Sequence, residues 1–319
     1  MNSPSPAEPP TDTAPEPNPP VCVMSFNAAD PSGVGGMACD VGTLAAMGSH
    51  ALPVTTAVLV RDSAEIFDHH DLDPDVVTEQ ARTVLEDITI SGWKVGFLGN
   101  AEIIGAVAEI LSDYPDVPLV SYLPSLGWLD DAAAQPYLDA FRQLILPATE
   151  VLVGNHKTLT DFLLPDWDSE RPPSARELAV AAAEHGTRYV LVTGIMLPAK
   201  GQQQFIDNVL AAPQGALAGE KFEMFETSFV GAGDTLSAAL AALLAAGTEL
   251  QAAMAEALGF MDQSLDAGFR PGMGNVVPDR FFWAMPPPEE GAEEEAAPAI
   301  ESPAEPAEGK NKPAPRRVH

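Results

Sequence analysis

The sequence predicts an α/β protein, a three-layer α/β/α sandwich around a mostly parallel central sheet. Two observations predict it. Short apolar, β-branched runs alternate with longer helical patterns along the 319 residues, which builds βαβ units. Several of the short runs are apolar on both faces, as strands covered by helices on either side must be.

Taken in order, Val21–Phe26 reads as the first strand, and Gly36–Met47 as the helix that follows its glycine-rich loop. Val54–Val60 is the next strand, and Asp75–Asp87 the next helix. His69, His70, Asp71 and Asp73, which join them, read as a solvated polar connection rather than a metal site. Lys94–Leu98, Leu119–Leu123, Val151–Val153 and Tyr189–Thr193 continue the strands, with helices expected over Ala101–Ser112, Ala132–Leu144 and Ser174–His185. Pro172 and Pro173 mark the loop before the last of these, since proline suits a first helical turn and not an interior. Phe205–Leu210 and Lys221–Phe225 look like late antiparallel or edge strands, and helices over Thr235–Ala246 and Gln251–Ala267 close the core.

The ends differ in kind from the middle. Residues 1–19 are mostly Pro, Ala, Ser, Thr, Glu and Asn, and residues 285–319 are rich in Pro, Glu and Ala. Neither has an apolar stripe to offset the entropy of ordering, so both read as disordered tails around one domain over 20–284. The net charge is −30; the tails contribute −3 and −4, which leaves −23 on the core. A surface of that sign repels phosphate backbones and anionic lipid, and argues against nucleic-acid and membrane partners. Cys22 and Cys39 sit in apolar surroundings without metal-ligand spacing, as buried thiols in a reducing compartment would. With no apolar run resembling a signal peptide and none long enough to span a bilayer, the expected location is the cytoplasm.

The strongest chemical signal is Phe229-Val230-Gly231-Ala232-Gly233-Asp234-Thr235-Leu236-Ser237. Glycines permit a tight turn with its amides turned inward, and a helix N-terminus adds partial positive charge, which together suit an anion such as a transferring phosphoryl group. On these residues alone Asp234 is either a base that takes a proton from an attacking hydroxyl or an ordinary N-cap. The second signal, Ala29-Asp30-Pro31-Ser32-Gly33-Val34-Gly35-Gly36-Met37-Ala38-Cys39-Asp40, follows a strand and opens a helix. It is not a Walker-type phosphate loop, because no Lys-Ser or Lys-Thr follows, and it lacks dinucleotide-binding spacing. There is no Gly-x-Ser-x-Gly elbow for a serine hydrolase either.

Gly231-Ala232-Gly233-Asp234 resembles the ribokinase-superfamily signature. The Asp30-Pro31-Ser32-Gly33 loop resembles the first loop of the hydroxymethylpyrimidine/phosphomethylpyrimidine kinases of thiamine synthesis. Gly42–Gly48, Thr55–Ala57, Lys94–Leu98 and Gly272–Pro278 continue that match in order. The resemblance implies a ribokinase-like fold, ATP and Mg²⁺ as cofactors, and a small-molecule acceptor, a pyrimidine or similar heterocycle. It implies Asp234 as catalytic base, Gly231, Ala232 and Gly233 as anion hole, and Asp30, Gly33, Gly35, Arg61 and Phe97 around the acceptor. Arg61 stands where the family has glutamine and Phe97 where it has methionine; Phe97 can stack on a flat ring, and Arg61 can hold a phosphate or lie at the surface. The family is commonly dimeric, which leaves a homodimer open.

Three departures fall on the nucleotide and metal side. Asn155 is kept, but Thr158 replaces the family's metal-organising glutamate, and no acid ends Leu119-Val120-Ser121-Tyr122. Thr193 precedes Gly194 where a lysine is usual, with Lys157 as the nearest substitute cation. The metal ligands are therefore unassigned. Two alternatives stay open beside the main reading: a pyridoxal-type B6 vitamer kinase, and a paralogue that binds a pyrimidine without efficient phosphoryl transfer.

Overall fold

Nine strands form one sheet in the order β3-β2-β1-β4-β5-β6-β7-β8-β9 among the described residues, which in this computed structural model are 19–199, 201 and 203–284. The strands are β1 Cys22–Ala29, β2 His50–Arg61, β3 Ile66–Asp71, β4 Gly92–Val95, β5 Leu119–Tyr122, β6 Val151–Asn155, β7 Tyr189–Met196, β8 Phe205–Ala212 and β9 Gly215–Glu223. Strands β2, β1, β4, β5, β6 and β7 are mutually parallel. Antiparallel β3 adds to β2 at one edge, and the β8–β9 hairpin adds to β7 at the other. The described residues also form eight α-helices, the last two after β9: α1 Gly36–Ala46, α2 Pro74–Leu85, α3 Ala101–Ser112, α4 Asp131–Ala140, α5 His156–Leu163, α6 Ala175–Ala183, α7 Ala232–Ala245 and α8 Leu250–Asp266.

The period of two along each strand feeds a core on either face. Met24 and Phe26 of β1, Leu152 of β6 and Val190 of β7 pack in one core with Val77 of α2, Ile104 of α3, Tyr137 of α4, Leu159 of α5 and Leu178 of α6. Their strand neighbours Val23, Val151, Val153 and Leu191 join the other core with Leu44 of α1, Leu240 of α7 and Leu258 of α8. Burial on both faces is why these strands read as continuous apolar runs.

Three elements correct the sequence reading. His69 and His70 lie in β3, paired with Leu59 and Val58, rather than in a polar connection. The run is polar because half of an edge strand's side chains face water, which masks its strand character. Helix α5 was not expected; Asn155 caps it by accepting from the Thr158 amide at 2.8 Å. The helix expected over Ala132–Leu144 leaves α geometry at Ala140 and continues as a π-helical turn, Phe141–Ile145.

The chain divides into two units, Met1–Phe282 and Trp283–His319, and of the second only Trp283 and Ala284 are among the described residues. Both expected tails, 1–19 and 285–319, lie outside the described residues except for Pro19. No helix among the described residues is long and apolar enough to cross a membrane. Chain order places the functional end. From β1 the chain steps to β2 on one side and later to β4 on the other, so the carboxyl ends of β1 and β4 flank a topological switch point, where open α/β sheets bind ligands.

Candidate active site

Asn27 ends the apolar run of β1, and Lys94 interrupts that of β4. Ser25 and Lys94 are register partners across the two strands. Their neighbours Met24, Phe26, Trp93 and Val95 all face the first core, so Ser25, Asn27 and Lys94 project toward α1 and α7. Asp40 comes down from α1 and Asp234 from the first turn of α7 to meet them. Lys94 Nζ, fully buried, lies 2.8 Å from Asp40 Oδ1 and 2.9 Å from Asp234 Oδ1. The Asp40 Oδ1 contact is ionic only, because that oxygen has no hydrogen bond; Oδ2 accepts from Lys94, Asn27 and Ser25. Asp234 Oδ1 also accepts from Asn27 Nδ2 at 2.9 Å, and Oδ2 from the Gly36 amide at 3.0 Å.

The two carboxylates are driven apart by these contacts. Burial pushes Asp234 up, but the Lys94 ammonium and the hydrogen bonds from Lys94, Gly36 and Asn27 outweigh it and hold the group below the ordinary carboxylate value. Burial dominates at Asp40, which stays above that value although Lys94 opposes the rise. Lys94 itself is pulled down by burial and raised further by Asp40 and Asp234, so it remains charged. The result is an ionised Asp234 pinned by three donors, one each from Asn27, Gly36 and Lys94.

The turn before α7 is built on glycine. Gly231 caps the helix at φ +81°, and a side chain there would collide with the Val34 carbonyl. Beneath it, buried Arg280 bonds Thr235 Oγ1 at 2.9 Å and contacts Cys39 Sγ. Ala232, Gly233 and Asp234 occupy the first turn, so their amides have no intrahelical acceptor and are available to an anion.

Two cavities meet at this turn. The first, about 620 Å³, is lined by Asn27, Gly35, Arg61, Phe97, Trp128 and Asp234 among others. Phe97 is stacked on Tyr137 and meets Trp128 and His69 edge-on, which fixes an aromatic wall. Arg61 is no surface residue: its side chain is 7% exposed and lies 3.5 Å from Asp30 Oδ2. A Cβ built on Gly35 would lie 3.4 Å from Arg61 Nη1 and 3.6 Å from Asp234 Oδ2, so the guanidinium and the carboxylate are within about 7 Å of each other. Asp30 organises its own loop, accepting from Ser32 and from the Gly35 amide, while Gly33 turns that loop at φ +72° without reaching the cavity. The second cavity, about 430 Å³, has an apolar floor of Leu236, Leu258, Met261 and Leu265 and a polar rim of Asn155, Thr193 and Asn208.

Of the residues expected on this second side, Asn155 and Thr193 reach the cavity and Lys157 and Thr158 do not. The Lys157 side chain is 84% exposed and pairs with Asp161 one helical turn on, because α5 carries it away from the strand ends. No cluster of three or more His, Cys, Asp or Glu suited to a metal ion occurs among the described residues, and no carboxylate lines the second cavity. Sequence reasoning missed Asn27, Asp40, Lys94 and Tyr122. The available signal for Lys94 was a lone lysine inside a strand otherwise apolar on both faces.

The phosphomethylpyrimidine kinase family model matches residues 30–279. A hydroxymethylpyrimidine/phosphomethylpyrimidine kinase of Streptomyces coelicolor is 29% identical over 276 residues, covering 86% of this chain and 99% of the relative. Among solved structures, Staphylococcus aureus pyridoxal kinase in complex with AMP-PCP and pyridoxal aligns with TM-score 0.71 at 21% identity, covering 83% of this chain and 95% of that one. Phosphomethylpyrimidine kinase from Clostridium difficile aligns with TM-score 0.61 at 20% identity, covering 76% and 99%. At these identities the structural likenesses speak to the fold alone.

Proposed function

The chain belongs to the phosphomethylpyrimidine kinase family, and from that premise we propose that it transfers the γ-phosphoryl group of ATP to the hydroxymethyl group of hydroxymethylpyrimidine, and then to the resulting monophosphate. The observation that carries this is the ionised Asp234, held by Asn27, Gly36 and Lys94 at the mouth of a cavity with an aromatic wall, one residue from unpartnered turn amides.

The acceptor lies in the first cavity, its flat ring against Phe97 and Trp128. Its hydroxyl is oriented onto Asp234, which takes the proton as the oxygen attacks phosphorus. ATP occupies the second cavity, with its base on the apolar floor and its phosphates toward Asn155 and Thr193. The amides of Ala232, Gly233 and Asp234 hold the transferring group, and Gly231 gives the turn its shape. Arg61, paired with Asp30, supplies the cationic side chain of the first cavity and is placed to hold the phosphate when the monophosphate is the acceptor.

ATP fits these residues, whereas a protein-built magnesium site does not. The second cavity offers neutral oxygens and no carboxylate, so Mg²⁺ bound with ATP is held by phosphate oxygens and water. The two cores support reading the architecture as an α/β/α sandwich of the ribokinase type. Two free cysteines suit a cytoplasmic enzyme with one catalytic domain over 20–284.

Acceptor-dependent ADP release with Mg²⁺-ATP tests the reading. Turnover is expected with hydroxymethylpyrimidine and its monophosphate, and slower turnover with pyridoxal; the reverse order would establish a B6 vitamer kinase. Heterocycle binding without ADP release would mean a pocket that kept its ligand and lost the chemistry. Asp234→Asn is expected to lower kcat for the alcohol by about 10²–10⁴-fold while leaving nucleotide binding intact.

A further inference from the structure

Tyr122, Val230 and Gly231 line both cavities, and of the three only Tyr122 has a polar side chain. It ends β5, where the family resemblance implies an acid and this chain has none. Its ring packs flat against the turn: a side chain at Gly233 would overlap both the ring and the hydroxyl of Tyr122. The phenol oxygen therefore abuts the backbone whose amides face the phosphoryl position. The Lys94 ammonium lies over the same ring, 5.8 Å from its centroid. The Tyr122 side chain lines both cavities, so its hydroxyl is open to a ligand that enters them.

We propose that Tyr122 is a further catalytic residue, whose phenolic O–H donates a hydrogen bond to an equatorial oxygen of the phosphoryl group as it passes between the two cavities. This rests on the kinase reading above. In the step itself the acceptor oxygen forms a bond to the γ-phosphorus, and the bond from that phosphorus to the β,γ-bridging oxygen breaks. The electron pair leaves with ADP, and the acceptor's proton goes to Asp234. Tyr122 keeps its own proton throughout. Charge on the equatorial oxygens is what a preorganised donor stabilises, and a donor beside the turn amides completes the ring of contacts around them. Burial, and then the neighbouring Asp234 charge, push the phenol's pKa above its ordinary value, so it remains a donor over the working pH range. A neutral donor here also accounts for the missing acid: at this wall the chain meets the phosphoryl group directly instead of through a protein-held metal.

Tyr122→Phe tests this, because it removes the hydroxyl and keeps the ring against Gly233. The expected result is a loss of about 10²-fold in kcat with KM for ATP within about twofold of the parent. A second readout is thermal stabilisation by ADP, aluminium fluoride and hydroxymethylpyrimidine, a mimic of the group in flight. The parent gains stability over ADP alone, and Tyr122→Phe loses that gain while keeping the shift from ADP. Turnover and analogue stabilisation both equal to the parent's would overturn the role of Tyr122. Absence of acceptor-dependent ADP release from the parent, assayed in parallel, would overturn the kinase reading itself, so the two failures are distinguishable.

Discussion

Asp234 was legible in the sequence as one of two things, a base or a cap, and the structure shows why the choice mattered. Its side chain does not cap α7; both oxygens are engaged by Asn27, Gly36 and Lys94 instead. Lys94 was illegible as a functional residue because a strand pattern reports which face a side chain takes, not what descends from the helices above it. Its removal has a signed consequence. Asp234 lies below its ordinary carboxylate pKa, so its contribution to stability is present above that ordinary value and is lost as pH falls through the folded one. Lys94→Met removes the strongest opposition to burial and leaves only the Gly36 and Asn27 hydrogen bonds, so the acid limb of kcat/KM should move up by about one to three pH units. Stability should fall by about 3–5 kcal/mol, since a buried charge loses its partner, and Lys94→Met with Asp40→Asn should recover part of it. A pH–rate profile with a thermal melt checks both; an unmoved acid limb would mean that Lys94 serves packing alone. Arg61 belongs to the same scale. Arg61→Ala should raise KM for the monophosphate by about 10–100-fold and change KM for the alcohol much less, because only the monophosphate offers the guanidinium a charged partner. Equal changes for the two acceptors would reduce Arg61 to an organiser of the Asp30 loop.

At the scale of elements, the buried parallel strands were legible and the edges were not. The runs Val151–Val153 and Tyr189–Thr193 fall inside β6 and β7 because strands covered on both faces are written mostly in apolar residues. Four of the six residues of Ile66–Asp71 are polar because an edge strand meets water, and so the His69–Asp71 part of β3 passed for a loop. Helix α5 escaped because it is eight residues long and begins with His-Lys-Thr, which carries no amphipathic signal over its first turn. The segment singled out for Asn155 is nonetheless the start of that helix. Asn155→Ala should therefore cost about 1 kcal/mol through the lost cap, visible as a small drop in Tm. KM for ATP should rise along with it if the rim of the second cavity is set by this cap, and a fall in Tm with KM unchanged would separate capping from nucleotide contact.

For the whole molecule, charge is the property the sequence states most plainly and the fold does least to alter. The core carries −23 by sequence count, yet its proposed ligands are anions. Long-range repulsion should slow their approach at low salt and fade as the Debye length shrinks from about 30 Å to about 8 Å. KM for ATP, at fixed free Mg²⁺, should fall as ionic strength rises from about 10 mM to about 150 mM. Most enzymes that bind phosphates through a basic surface show the opposite trend, and finding it here would place a local positive field over the mouth of the second cavity that the described side chains do not supply.

Among the lysines of the described residues, Lys94, Lys157 and Lys221, Lys94 is the one sealed between sheet and helices with no exposed side-chain surface. An amine-reactive reagent will modify Lys157, with its side chain 84% exposed, at once. It will reach Lys94 only when α1 or α7 lifts from the sheet, or when the core opens entirely. The acylation rate of that single amine, followed by peptide mass, is thus a built-in clock for the opening of the site. Ligands that bridge the two cavities should slow it, and the extent of slowing would report how firmly each one closes the molecule over its own chemistry.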